Sequence, residues 1–356
     1  MRVTPALKAL MCLVAAALLL GGETWPKEAP PAPLVGFSYS PGMTSPASTD
    51  AAHELAELLD ATEPDLVRLP VYWELVQPTP DSLDFSSIDE LLEVIDAHNT
   101  FADRPTRVVL TLGARNFLYP ELHLPTWAGP REQPNLGEVQ SNAPYRTYFD
   151  ESVLRYRASP LLYAWQVENE PLDYVVNEVT GADQVTTAQL AWEVDEVHQL
   201  DPAHKVGVTT FDGWNVYIDL LQVYAPQVLA AIGMSPSGHP AEALQLGDAL
   251  GLDLYIDQPS TPYRFTSPDL RSVWKQQAIG LWADRARAQG KDLWLAEVQA
   301  QPWMGTSGFQ PGNLVESAAG YRQEPVQVVL LWGVETWVRD PQWMAAANHA
   351  MTILRT

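Results

Sequence analysis

Leu162-Tyr163-Ala164-Trp165-Gln166-Val167 runs straight into Glu168-Asn169-Glu170-Pro171, and on this stretch the reading of the chain turns. The first six residues are dominated by aliphatic and aromatic side chains, as in a strand buried on both faces. Two glutamates and an asparagine then sit where that strand ends. A second run of the same design, Leu293–Glu297, also ends in a carboxylate and continues into Val298 and Gln299. Working outward, short β-type runs at Val35–Tyr39, Leu66–Pro70, Arg107–Leu112, Lys205–Thr209, Leu252–Ile256 and Val326–Trp332 bring the strands to eight. Between them the period changes to that of helices. Asp50–Ala61 carries Leu55, Leu58 and Leu59 on one stripe, and Ser87–His98 carries Ile88, Leu91, Leu92 and Ile95. Thr187–Leu200, Pro268–Gln289 and Pro341–Leu354 complete the helical segments. Eight alternating units in one chain predict an α/β fold, a single-domain (β/α)8 TIM barrel. No Gly-rich loop follows the first strand, which argues against an open dinucleotide-binding sheet.

The rest of the composition narrows the function. The chain has 356 residues and one cysteine, Cys12, which excludes a disulfide scaffold. Its formal net charge of −23 repels phosphate backbones and anionic lipids, so nucleic-acid binding is not expected. Neutral or cationic substrates fit such a surface. Arg2 and Lys8 precede an apolar run, Ala9–Leu20, which is shorter than the about 20 residues a membrane span needs. Residues 1–22 therefore read as a secretory signal, either cleaved or retained as an anchor, and the protein is expected outside the cytoplasm. A membrane partner is expected only if that segment stays uncleaved. Residues 23–33 form a Pro-rich linker, and the folded domain spans residues 34–356. The scattered histidines form no metal-ligand spacing, and no Gly-x-Ser-x-Gly elbow occurs; neither a metal nor a cofactor is expected.

In a TIM barrel, chemistry belongs at the C-terminal ends of the strands. Two carboxylates brought to that mouth are the minimum equipment for cleaving a glycosidic bond, one as proton donor and one facing the anomeric carbon. Asn169-Glu170-Pro171 after the fourth strand, with Glu297 ending the seventh, resembles the clan A glycoside hydrolases, the group of cellulases, mannanases, xylanases and β-galactosidases. Val67-Arg68-Leu69-Pro70 with Trp73, Gln77-Pro78 and Asp84-Phe85 adds to the likeness, as does Leu331-Trp332-Gly333 at the eighth strand. The likeness runs from the first strand to the eighth.

What the resemblance implies is an exported, retaining β-glycosidase acting on oligo- or polysaccharide by double displacement. Glu170 is then the general acid/base and Glu297 the nucleophile, with carboxyl groups about 5–5.5 Å apart. Asn169 would bind the sugar 2-hydroxyl, Arg68 would hold Glu297 charged, and Tyr255 would donate to Glu297. Trp332, Trp73, Trp127 and Trp303 are the expected sugar-stacking surfaces. The third and sixth strands end without the histidines found in several cellulase-type families, which leaves the individual family open. The loop from Asn116 to Tyr145 is expected to overhang the cleft. Glu168 is a rival for the acid role, since strand alternation would put it on the face of Glu170. Glu335 and Asp257 read as hydroxyl ligands or solvated groups. Trp165 and Trp282 read as core, and Glu193, Asp195 and Glu196 as a solvated charge run. Two other readings remain open on the same barrel, a non-catalytic carbohydrate-binding protein and a transglycosylase.

Overall fold

The computed structural model describes residues 30–43, 50–118, 121–128, 142–172, 185–211, 239–257, 268–302 and 308–356. The signal segment, most of the Pro-rich linker and Trp303 lie outside the described residues. Eight parallel strands close into a barrel in the order β1 to β8. They are β1 (Leu34–Ser38), β2 (Leu66–Pro70), β3 (Arg107–Leu112), β4 (Leu162–Val167), β5 (Lys205–Phe211), β6 (Ala249–Leu254), β7 (Asp292–Gln299) and β8 (Val328–Trp332). The barrel closes through β1 and β8, with Leu34 opposite Val328 and Phe37 opposite Leu331.

The described helices are α1 (Ala51–Thr62), α2 (Trp73–Val76), α3 (Ser86–Asn99), α4 (Ala143–Tyr156), α5 (Thr187–Leu200), α6 (Pro240–Leu246), α7 (Pro268–Ala288), α8 (Pro311–Tyr321), α9 (Val334–Trp337) and α10 (Pro341–Arg355). Their ends follow local chemistry. The Asp50 side chain accepts from the His53 amide at 2.9 Å to start α1, and Asp340 with Pro341 starts α10 in the same way. The buried residues of α1 include Leu55, Leu58 and Leu59; those of α3 are Ile88, Leu91, Leu92 and Ile95, the stripe its periodicity predicts.

Two apolar layers result. The larger lies between strands and helices. The smaller fills the barrel interior, where Trp294 packs with Leu66, Val109, Ala164, Ala249, Val328 and Leu330. Trp294 fits only because its neighbours are small: a Cβ on Gly207 would lie 2.5 Å from its ring. Strand alternation then turns Arg68, Thr111, Gln166 and Trp332 to the same side as Leu66, Val109, Ala164 and Leu330, one layer higher. An apolar plug therefore supports a polar layer at the mouth.

Strands β1, β5, β6, β7 and β8 depart from their expected limits, and the departures of β6 and β7 matter to the mouth. β6 begins three residues before the expected Leu252 and ends at Leu254. Ala249 and Gly251 weaken its sequence signal, yet Gly251 is demanded by crowding: a Cβ there would lie 2.8 Å from Thr209 Cγ2 and 3.0 Å from Ala296 Cβ. In β7 the register slips against both neighbours, between Leu252 and Asp253 on one side and between Leu295 and Val298 on the other. Such a bulge re-aims the side chains that follow it.

Replacing Trp294 by Ala empties the interior layer and is expected to cost about 3–5 kcal/mol. Chemical denaturation checks this; a loss below about 1 kcal/mol would mean that the interior is not held by this ring.

Candidate active site

Glu297 stands near the end of β7, with only 4% of its surface exposed, and both of its carboxylate oxygens are engaged. Oε1 accepts from Arg68 Nη2 at 2.6 Å, and Oε2 accepts from the Tyr255 hydroxyl at 2.5 Å. Arg68, on β2, is fully buried and spends its other donors on Ser38 Oγ of β1 at 2.8 Å and Gln166 Oε1 of β4 at 3.2 Å. The Phe117 ring covers its guanidinium at 4.2 Å, and the Trp332 ring lies 5.8 Å away. One buried cation thus joins β1, β2, β4 and β7. Burial holds the Tyr255 phenol well above its ordinary range, and the charges of Glu297 and Glu170 push it further, so it stays a donor. That both carboxylates act on one phenol brings the ends of β4 and β7 to a common centre.

At the end of β4, Gln166 passes the Arg68 contact onward. Its Nε2 donates to the Glu168 carbonyl at 2.9 Å and lies 3.4 Å from Asn169 Oδ1. The Glu170 amide donates to Thr209 Oγ1 of β5 at 2.9 Å. Glu168 and Glu170 both adopt left-handed backbone, with φ of 56° and 44°. The strand has ended at Val167, so alternation no longer governs where these side chains go.

That turn corrects the reading of Glu168 as a rival acid. Its carboxyl points under the β3 loop, where it accepts from the amides of Ala114 at 3.1 Å and Arg115 at 2.6 Å. It lies over Gly113, where a Cβ would come within 2.4 Å of it and φ is +131°. A second correction concerns Glu193 of α5. It is fully buried, not part of a solvated run, and accepts from Tyr145 Oη at 2.6 Å and Gln189 Nε2 at 2.5 Å.

The expected aromatic surfaces divide. Trp332 is half-buried at the mouth, edge-on to Phe117 at 5.9 Å. Trp73 is a correction: it is 1% exposed, turned inward by α2, and packs against Trp127, Tyr145 and Tyr148 with its indole N–H on Gln77. It has no face left for a sugar. Trp127 is partly buried on the outside of that cluster and donates to the Gln77 carbonyl at 3.0 Å. Trp165 and Trp282 are core, as expected.

Three groups near the centre had no role in the sequence reading or a different one. Arg115 is fully buried, donates through Nε to the Asn169 carbonyl at 3.2 Å and pairs with Glu121. The β3 loop folds back through an antiparallel bridge between Arg115 and Leu122, which sets Glu121 beside Arg115. Burial pushes the Glu121 carboxyl up to about 7 against the pull of Arg115, and the charge on Glu297 adds to the rise. Glu335 of α9 is half-buried: it accepts from Gln301 Nε2, and burial, with Glu297 adding, raises its carboxyl. A basic residue just past the end of β3 was the one signal available for Arg115. Among the described residues, no group of three or more His, Cys, Asp or Glu side chains gathers as metal ligands do.

No family model matches the chain. A probable mannan endo-1,4-β-mannosidase C of Aspergillus terreus is 37% identical over 82 residues, spanning 21% of this chain and 20% of that protein. The glycoside hydrolase GH5_18 from Streptomyces cattleya, solved with GlcNAc, superposes with a TM-score of 0.60 at 17% identity, covering 92% of this chain and 81% of that one. A β-galactosidase from the Antarctic haloarchaeon Halorubrum lacusprofundi gives 0.61 at 14% identity, over 90% of this chain and 58% of that one. At these identities the structural likeness shows a shared fold.

Because the Glu121 carboxyl is raised, the fold favours its neutral form. The resulting stability is present at acid pH and is lost as pH rises through about 7. Glu121→Gln is expected to flatten the fall in stability from about pH 5 to about pH 8 in denaturant titrations. Parallel curves for variant and wild type would assign that fall to other groups.

Proposed function

We propose that this protein is an exported, retaining β-glycosidase that cleaves oligo- or polysaccharides with Glu297 as nucleophile and Glu170 as general acid/base. The observation that carries the reading is the double hold on Glu297, Arg68 on one oxygen and Tyr255 on the other; the charge of Glu170, on the β4 turn, acts on the same Tyr255 phenol and supports it. An attacking carboxylate needs an oriented oxygen and a charge partner, and Glu297 has both. In the first step Glu297 bonds to the anomeric carbon as Glu170 gives its proton to the departing glycosidic oxygen. In the second, Glu170 takes a proton from water, which attacks the anomeric carbon and releases Glu297. Asn169 is proposed to hold the sugar 2-hydroxyl, and Trp332 to offer its half-buried ring to the sugar's C–H face. Trp127 and Trp303 remain candidate surfaces for more distant sugar units.

A β-linked, uncharged sugar is the proposed substrate class. The net charge of −23 disfavours uronic acids, and the named activities of the mannosidase and β-galactosidase relatives lie within the class. Export rests on the apolar segment after Arg2 and Lys8.

Glu297→Ala is expected to abolish hydrolysis of aryl β-glycosides, and added azide is expected to restore turnover with an inverted glycosyl azide product. Glu170→Ala is expected to slow substrates with poor leaving groups far more than activated aryl glycosides, by a margin of about 10²-fold or greater. Product stereochemistry by NMR and leaving-group series check both assignments. Azide rescue without inversion would reject Glu297 as nucleophile, and equal losses on both substrate types would reject Glu170 as acid.

A further inference from the structure

The buried contact between Glu168 and Glu193 has no part in the proposed reaction, yet it lies directly beneath the turn that carries Glu170. Glu168 is 1% exposed and Glu193 is fully buried. Their donors are accounted for on every side. From the β3 loop come the amides of Ala114 and Arg115, one to each Glu168 oxygen. From α4 comes Tyr145, whose hydroxyl donates to Glu193 Oε1 at 2.6 Å and lies 3.4 Å from Glu168 Oε1. Tyr148 of the same helix faces the pair too, but its hydroxyl donates to the Val71 carbonyl. From α5 comes Gln189 Nε2, on Glu193 Oε1. The guanidinium of Arg115 turns to Glu121 and the Asn169 carbonyl, so it is committed elsewhere.

Glu193 Oε2, by contrast, is buried and meets no N–H or O–H donor among the described residues. The two carboxyl groups are within hydrogen-bonding reach of each other, so a proton on Glu168 is the donor that completes the set. Two ionised carboxylates in contact in a dry interior would repel strongly, and one shared proton removes that repulsion. Burial raises both groups, and the charge on Glu193 raises Glu168 further.

We propose that Glu168 and Glu193 share a single proton, and that this pair is a positioning device that clamps the β3 loop to the β4 turn and so holds Asn169 and Glu170 at the mouth. The clamp is two-way: Glu168 accepts the Arg115 amide, and Arg115 Nε returns a hydrogen bond to the Asn169 carbonyl. Its second half rests on the reading of Glu170 as the acid. Since the pair's carboxyls are raised in the fold, the stability it supplies is present at acid pH and is lost as pH rises through the folded-state value. Alkaline loss of the shared proton would leave two like charges beneath the turn and release it.

The test compares wild type, Glu193→Gln and Glu168→Gln from about pH 6 to about pH 9.5, by hydrogen exchange of the 108–118 and 162–172 segments and by aryl glycoside hydrolysis. In Glu193→Gln the side-chain carbonyl can still accept from Tyr145 and Gln189 while the new amide donates to an ionised Glu168, with no proton to lose. In Glu168→Gln the new amide nitrogen must instead face a backbone N–H group. In wild type, exchange in both segments, corrected for intrinsic rate, is expected to rise at alkaline pH as kcat falls. Glu193→Gln is expected to keep kcat near neutrality, remain protected at alkaline pH and shift the alkaline limb of kcat upward. Glu168→Gln is expected to expose both segments at every pH and lower kcat by up to about 100-fold. Exchange in Glu193→Gln that tracks wild type would overturn the shared proton, and wild-type protection in Glu168→Gln would overturn the clamp. An unmoved alkaline limb of kcat in Glu193→Gln would overturn the link to Glu170. Absence of hydrolysis in wild type would reject the glycosidase reading and with it that link, while exchange would still decide the pair.

Discussion

The mouth of this barrel is organised around one buried cation. Arg68 has lost its water entirely, and a guanidinium in that position is tolerated only if its donors and its charge are both answered. Ser38, Gln166 and Glu297 answer them from three different strands, and Phe117 covers the face. Each partner is in turn fixed by something else: Gln166 by the backbone beyond β4, Glu297 by Tyr255. Removing the cation would leave Glu297 without its charge partner and Gln166 without its anchor. Glu297, the proposed nucleophile, and the turn bearing the proposed acid therefore have their geometry set by the same residue.

Below that layer the requirement is different. Trp294 fills the barrel interior against Gly207, Ala164 and Ala249, so the polar layer rests on a rigid floor rather than on water. The bulge in β7 connects the two layers. Trp294 points into the plug, and three residues later Glu297 still reaches the interior of the mouth, which plain alternation would forbid.

How much of this was legible in the sequence follows from what each signal depends on. The eight strands could be read because both of their faces are buried, which gives uninterrupted apolar runs, and the helices because their stripes recur at helical spacing. The start of β6 was hidden because crowding from Thr209 and Ala296 selects Gly251, and glycine reads as a break. Glu297, Glu170, Arg68 and Tyr255 could be located because a barrel strand's end is a marked place. Glu168 was misplaced because alternation was carried past the end of the strand into left-handed backbone. Glu193 was misread on charge alone, although its spacing held the answer: with Leu190, Val194 and Val197 it lies on the buried stripe of α5. Trp73 reads as a sugar-stacking surface rather than as core because a four-residue helix has too little sequence to show a period. Glu121 reaches Arg115 only through a fold-back of the β3 loop, which no local pattern announces.

The charges around the mouth make one further chemical point. Glu297, Glu121 and Glu335 interact across it, with Glu170 beside Tyr255, and the two buried arginines are already committed to Glu297 and Glu121. Burial is what first raises the carboxyls of Glu121 and Glu335; the charge on Glu297 adds to the rise, and Arg115 and Arg339 oppose it. A neutral sugar gains little from the charge of Glu297 in its ground state. On the glycosidase reading, positive charge develops at the anomeric carbon and ring oxygen as the bond breaks, and there the Glu297 carboxylate becomes attractive. The burial that makes Glu121 and Glu335 difficult to ionise in the resting protein would thus also strengthen the attraction between Glu297 and that developing charge, favouring the transition state over the substrate.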